Sequence, residues 1–215
     1  MKGVSFHGYH SYRDLHLLMT GKEIGAPEVK RHTVDIAGAD GELDFTDYFG
    51  EPKYLNVQHR FTFESIQPRN EQLQQYTDIK NAIHGKKGRI ILDDDPSFFY
   101  VGRCTVSKYT NEKNIGKITV ECDCEPYKYK LAETVVTRAV SGTDTIVLTN
   151  SRKRAVPLVT IQTNTSMTLV YNVDNVWTLS AGSYMLPELE LVEGDNAVTV
   201  TGTGTVTFRW REGEL

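Results

Sequence analysis

Three groups of side chains in this sequence have types that metal or acid–base chemistry uses. Cys104 and Cys122-x-Cys124 offer soft sulfur for a metal or a redox pair. Zinc takes cysteines spaced by about two to four residues, so that both ligands curl round the ion. Here one residue intervenes, in a run where Ile118, Val120, Cys122 and Cys124 alternate onto one face of a strand. Small buried hydrophobes account for that pattern, and the three thiols are expected to be inert core residues. Asp93-Asp94-Asp95 offers hard oxygen for a divalent cation. Calcium needs about six or more oxygens at set positions, and the glycine-studded EF-hand spacing is absent. The run reads as a solvated turn ahead of Pro96. His7, His10 and His16 lie close in sequence, yet on a strand His7 and His10 face opposite sides, which argues against joint coordination.

No G-x-S-x-G, Walker loop or H-E-x-x-H is present. No pair of carboxylates stands out as a glycosidase couple. The expectation is a protein that is not an enzyme, with no catalytic, cofactor-binding or metal-binding residue and no cofactor. Arg152-Lys153-Arg154 is the basic cluster of the chain and reads as a wet loop between strands. Net charge is −4, with 18 basic and 19 acidic side chains in residues 1–130 and 6 and 9 in residues 131–215. Gripping phosphates needs clustered Lys and Arg, so specific nucleic-acid binding is not expected. The apolar runs fall far short of the ~20 residues that cross a bilayer, so neither is membrane insertion. The N-terminus lacks a continuous apolar stretch, so no secretion signal is expected. Three cysteines are an odd count for a disulfide scaffold and point to a reducing compartment.

The elements that must carry these residues read as mainly β. The stretch Val34–Glu64 looks like the organising centre. It runs from the alternating Val34-Asp35-Ile36 through the turn Gly38-Ala39-Asp40-Gly41 to a strand whose Val57, His59, Phe61 and Phe63 share one face. Residues 3–19 suggest one or two short strands, and residues 20–33 an extended connection. The spacing of Leu73, Tyr76, Ile79, Lys80 and Ile83 predicts a helix over 71–84, capped by Asn70 and ended by Gly85. Strands follow at 89–92, 98–108 and 117–125, the last two joined by a hairpin through 110–114 and stopped by Pro126. Beyond 127–131 threonine and valine dominate, and short strands recur between glycine-bearing turns, as in a β-sandwich or jelly roll. A final hairpin is predicted with Val198 and Val200 on one arm and Val206, Phe208 and Trp210 on the other, all inward. The expected domains are 1–130, β-sandwich-like with one α-helix, and 131–215, a β-sandwich.

The order G-A-D-G-E-L-D-F-T-D-Y-F-G (residues 38–50), then Tyr54 and Arg60-Phe61-Thr62-Phe63, resembles the N-terminal domain of the distal tail proteins of long-tailed, non-contractile bacteriophages. Leu92–Arg103, Ile118–Cys124 with Glu125-Pro126-Tyr127, and the closing run Gly194–Leu215 fit the same family. The resemblance covers nearly the whole chain and rests on order and spacing. One departure is the loop before Pro157, short and glycine-bearing in the family pattern but Arg152-Lys153-Arg154 here.

The resemblance implies a virion structural protein, made in the bacterial host cytoplasm and placed at the phage tail tip. It implies a homo-oligomer, a hexameric ring built from residues 1–130. Its partners would be the tail tube protein and the tail-associated hub or fibre protein, with DNA passing through the lumen. It also implies a galectin-like sandwich at 131–215 that anchors receptor-binding proteins. The alternative is a carbohydrate-binding β-sandwich module in which Trp177, Tyr184 and Trp210 stack on sugars.

Overall fold

The structure is a computed structural model that describes every residue except Met1, Phe49 and Lys113. Phe49 of the glycine-turn motif and Lys113 of the 110–114 loop therefore lie outside the described residues. The chain is mainly β and divides into two compact units, Met1–Lys128 and Tyr129–Leu215.

In the first unit the elements are β1 (Val4–Phe6), β2 (Tyr9–His10), β3 (Leu17–Ile24), β4 (Thr33–Asp35), β5 (Glu42–Asp44), β6 (Val57–Ser65), α1 (Gln72–Ile83), β7 (Lys87–Leu92), β8 (Phe98–Glu112) and β9 (Ile115–Lys130). One sheet runs in the order β2-β1-β7-β8-β9-β6-β3, and β4 and β5 form a separate two-stranded sheet. The core lies between the large sheet and α1, where Phe6, Phe61, Phe63, Ile118, Ile79 and Ile83 are fully or almost fully buried. Phe6 meets Phe61 and Phe63 edge to face at 5.5 and 6.1 Å between ring centroids, an arrangement that the ring quadrupole favours. The alternation expected of 57–64 holds along β6.

Two expected boundaries move. The 20–33 connection starts later, because β3 continues pairing with β6 as far as Ile24↔His59. Pro126 does not stop β9, because the ladder with β6 ends at Val57↔Cys124 and Pro126 lies beyond it. No hydrogen bond of that ladder needs the N–H that proline lacks.

The helix also sits rotated from its predicted stripe. Leu73 is 65 % exposed, while Gln72 and Gln75 are buried with Ile79 and Ile83. The glutamines face inward because backbone groups there need partners. Gln75 Nε2 donates to the carbonyls of Leu15 (2.7 Å) and His16 (3.1 Å), and its Oε1 accepts from Ser65 (2.5 Å). Gln72 Nε2 donates to the carbonyls of Gln67 (3.1 Å) and Asn114 (3.2 Å), and its Oε1 accepts from Asn111 (3.0 Å). Buried amides fully paired in this way specify one orientation, where a purely apolar stripe tolerates several. The N-cap is Glu71, with no side-chain cap bond, rather than Asn70. Gly85 does close the helix at positive φ, its N–H donating to Cys104 O at 2.7 Å.

In the second unit the strands are β10 (Thr134–Asn150), β11 (Leu158–Gln162), β12 (Met167–Tyr171), β13 (Asn175–Leu179), β14 (Gly182–Met185), β15 (Gly194–Trp210) and β16 (Gly213–Glu214). The predicted final hairpin is one continuous strand instead. β15 pairs with β10 from Thr134↔Trp210 to Asn150↔Gly194. Its other edge takes β12 at residues 198–201 and β11 at 205–209. Val198, Val200, Val206, Phe208 and Trp210 all face one core, with Ile146 and Leu148 of β10. For both halves of the ribbon to face that core, it must bend over it, giving the two layers of a β-sandwich. The bend falls at the paired Gly142 and Gly202, both at positive φ. Gly202-Thr203-Gly204, between the two arms of the predicted hairpin, signals a close backbone approach, and a bend needs that as much as a turn does.

Two buried asparagines sit at the Asn150↔Gly194 end of this ribbon, and one of them reaches Trp210 at the opposite end. Asn196 Oδ1 accepts from Val192 N (2.9 Å) and Tyr171 Oη (3.0 Å), and its Nδ2 donates to the carbonyls of Leu148, Val192 and Gly194. Asn150 Oδ1 accepts from Trp210 Nε1 at 3.1 Å.

Candidate functional site

The residues with chemical potential go to separate structural tasks. Cys104, Cys122 and Cys124 are fully buried in the first core, with the Cys104 and Cys122 sulfurs 2.7 Å apart. The Cys104 contact and then burial push the Cys122 thiol far up, and burial pushes Cys124 up to about 12. Since the thiolate is the nucleophile, alkylating reagents are expected to label these cysteines only as fast as the protein opens. Modification in native buffer should therefore be at least about 100-fold slower than in denaturant, where the pKa returns to about 8.5. Labelling at comparable rates in both conditions would contradict the buried placement.

The three aspartates part company. Asp93 accepts from Gly3 N (2.7 Å) and from His10 Nε2 (3.1 Å), Asp94 pairs with Lys22, and Asp95 pairs with Lys128 at 3.0 Å. Desolvation raises the Asp93 pKa, but the bonds from His10 and Gly3 outweigh it and hold the carboxyl low. The Lys22 hydrogen bond does the same for Asp94. The histidines separate likewise. His10 is buried on Asp93, His7 lies against Gly88, and His16 is exposed.

In the second unit, Arg152 pairs with Glu193 at 3.4 Å and Arg154 with Glu190 at 2.9 Å, while Lys153 lies over the Tyr129 ring. Trp210 is buried, and Trp177 and Tyr184 are partly buried against the same core. That placement leaves the three rings poorly disposed as a sugar-stacking platform.

What the molecule offers outward is surface. Residues 26–48 and 50–56 form an arm whose legs are joined by a bridge between Val29 and Tyr54 and by bonds from Lys30 N to Lys53 O and Leu55 N to Glu28 O. Its tip is the β4–β5 hairpin, in register Val34↔Leu43, with Gly38 and Gly41 in the turn. Alternation places His32, Val34, Ile36, Leu43 and Phe45 on one face and Thr33, Asp35, Glu42 and Asp44 on the other. Every one of these side chains is exposed. The stretch expected to organise the chain is thus central only from Val57 onward, because a hairpin paired to no other strand among the described residues has no sheet to bury its face against.

The arm leaves the large sheet at Gly25, whose N–H donates to Nδ1 of His59 at 3.3 Å. A Cβ on Gly25 would meet Gln58 O at 2.7 Å, so only glycine lets the chain turn off there. His59 is buried with its ring edge to face on Tyr100, and burial lowers its pKa.

A groove of about 570 Å³ opens along α1 at the other end of β3. Leu15, Ile79 and Ala82 contribute apolar lining, and Asp14, Glu71 and Asp78 line it with carboxylates. Among the described residues, no lysine or arginine lines it. β2 and β3 are the terminal strands of the large sheet's path. No helix is long and apolar enough to cross a membrane, among the described residues.

The alternation of Val34-Asp35-Ile36 is legible in the sequence, but the arm is not. The signal that could have found it is the isolated glycine-rich turn with the short amphipathic strands flanking it. The groove carried no sequence signal, since Asp14, Glu71 and Asp78 meet only through folding.

No protein-family model matches the chain, and no curated protein matches it. Among solved structures it is similar to the crystal structure of Dit (gp 19.1) from SPP1, presented as a paradigm of the hub adsorption apparatus in phages that infect Gram-positive hosts. The match spans 100 % of both chains with a TM-score of 0.75, at 13 % sequence identity. The chain therefore has the fold of a phage distal tail hub protein along its whole length.

Proposed function

We propose that the chain is a virion structural protein of the distal-tail type. It forms a hexameric ring through residues 1–130, joins the tail tube to the tail-tip hub or fibre protein, and passes DNA through its lumen. Residues 131–215 project as a sandwich that anchors adhesion components. The observation that carries this reading is the end-to-end fold match to a hub adsorption protein. The placement of the chemical side chains agrees with it, since the cysteines, the aspartates, His10 and the basic loop serve packing or pairing. A net charge of −4 suits a conduit that DNA must leave freely, because a basic lumen would hold the polyanion.

Negative-stain images of the purified full chain are expected to show closed rings with a central hole, and scattering after gel filtration a mass near six protomers. A fragment of residues 1–130 should keep that assembly. A monomer at all concentrations that also binds no tail tube component would refute the proposal.

A further inference from the structure

Three thiols meet in the first core, and they are not equivalent. Cys104 stands on β8 and Cys122 on β9, neighbouring strands of the large sheet. Both side chains are fully buried, and their sulfurs are 2.7 Å apart. A Cβ added to Gly102 would meet Cys124 Sγ at 2.5 Å and Asp123 O at 2.9 Å, so Gly102 lies beside Cys124. Two residues on along β8 and two back along β9, Cys104 lies beside Cys122, and the strands run antiparallel through the pair. Cys104 directs both backbone groups to the other side. Its N–H donates to Lys86 O at 3.1 Å, and its carbonyl accepts from Gly85 N at 2.7 Å. In an antiparallel ladder a residue's N–H and C=O point the same way, so Cys104 and Cys122 form a non-hydrogen-bonded pair. Such pairs bring Cα atoms to about 4.5 Å, within the range of about 4.4–6.8 Å that a disulfide spans.

We propose that Cys104 and Cys122 are a preformed dithiol that closes to a cross-strand disulfide when the folded protein meets an oxidant such as a peroxide. Cys124 is the thiol left over. It projects from the same face about 6.6 Å further along β9, whereas bridged Cβ atoms stand about 3.8 Å apart. One pair and one single thiol make up the odd count of three. Each bond consumes one molecule of peroxide. One sulfur takes an oxygen as sulfenic acid and releases water. The second sulfur attacks the first, the S–S bond forms, and that oxygen leaves as water with the second thiol's proton. Burial makes the step slow, because oxidant and thiol meet only as the core opens, and it protects the finished bond from reductants in the same way. On the function proposed above, the bond forms after a particle assembled in a reducing cytoplasm leaves it. The pairing itself does not depend on that reading.

The test is peptide mapping of the full chain without reductant, after incubation with stoichiometric hydrogen peroxide a few degrees below its melting temperature. Trypsin cleaves after Arg103, Lys108, Lys117 and Lys128, which puts Cys104 and Cys122 on different peptides. The expected product is those two peptides joined, lighter by the two thiol hydrogens, with one free thiol per chain in place of three. Fragmentation should place the bond at Cys122. Cys124→Ala should keep the linked peptide, and Cys104→Ala and Cys122→Ala should each lose it. Bridging residues 18 positions apart should also raise the melting temperature by about 5 °C or more, reversed by dithiothreitol. Three free thiols after the incubation, a bridge to Cys124, or sulfinic acid in place of the linked peptide overturns the proposal. A linked chain that melts below the reduced one overturns it too, because the strands would have had to move to make the bond.

Discussion

Replacing Gly204 by alanine is expected to cost the sandwich unit about 3 kcal/mol, at the upper end of what overpacking a protein interior costs. Gly204 lies just past the bend of the ribbon, on the inward phase of β15 and paired with Val140. A Cβ there would collide with the carbonyl oxygen of Gln162 and lie 3.0 Å from both Met167 Sδ and Thr163 Cβ. The sulfur can swing aside, but the carbonyl is backbone at the end of β11, so relief requires moving a strand. Gly142, at the bend itself, supplies the contrast. Its φ of 96 is costly for other residues, yet nothing lies within 4 Å of an added Cβ. Gly142→Ala therefore carries only the backbone strain, about 1–2 kcal/mol. Denaturant melts of the two variants check this, and a loss at Gly204 no greater than that at Gly142 would mean that β11 shifts freely to take the added methyl.

Phe61→Ala is expected to destabilise the first unit by about 3–5 kcal/mol. The ring is fully buried on β6, between the ladders to β3 and β9, and its edge-to-face contact with Phe6 ties β1 to the same core. Truncation removes the transfer energy of the ring and leaves a void that the flanking strands cannot close. Against a typical total of about 5–15 kcal/mol, that is enough to lower the melting transition by roughly 10 °C or more. Gln58→Ala on the exposed face of the same strand should stay within about 0.5 kcal/mol. Calorimetry distinguishes the two, and a loss at Phe61 below about 1.5 kcal/mol would mean that the core repacks around the gap.

The parts of the fold legible in the sequence were those where one residue's environment is set by its near neighbours. The alternation of Val57, His59, Phe61 and Phe63 reads directly as a face, and so do the inward phases of β15. The closing role of Gly85 is likewise local. What escaped was decided by partners distant in sequence. Gln72 and Gln75 displace Leu73 from the buried stripe because of carbonyls at Leu15, His16 and Asn114. Helical periodicity counts greasy side chains and cannot see an unmet acceptor some 60 residues away. At Gly202 a hairpin and a folded ribbon share the same local signal, and only the pairing with β10 tells them apart. In the candidate site, the arm's alternation was visible but its exposure was not, since amphipathic strands read alike whether their partner is in the chain or outside it.

The position of β15 in its sheet has a consequence for how the protein is made. β15 pairs with β10, β11 and β12, and β13 and β14 reach the sheet only through β12 and β11. During synthesis all five of those strands leave the ribosome before the strand they assemble around. Their ladders span long stretches of chain, up to Thr134↔Trp210, and contacts of that separation are slow to form because loop closure precedes any gain. The first unit has a ladder at least as long, Val4↔Leu92, but its ladders to β1 and β6 lie within residues 4–124, which leave the ribosome earlier. The first unit is therefore complete while the threonine-rich strands are still a loose tether behind it, and the sandwich closes in a single late step when β15 arrives.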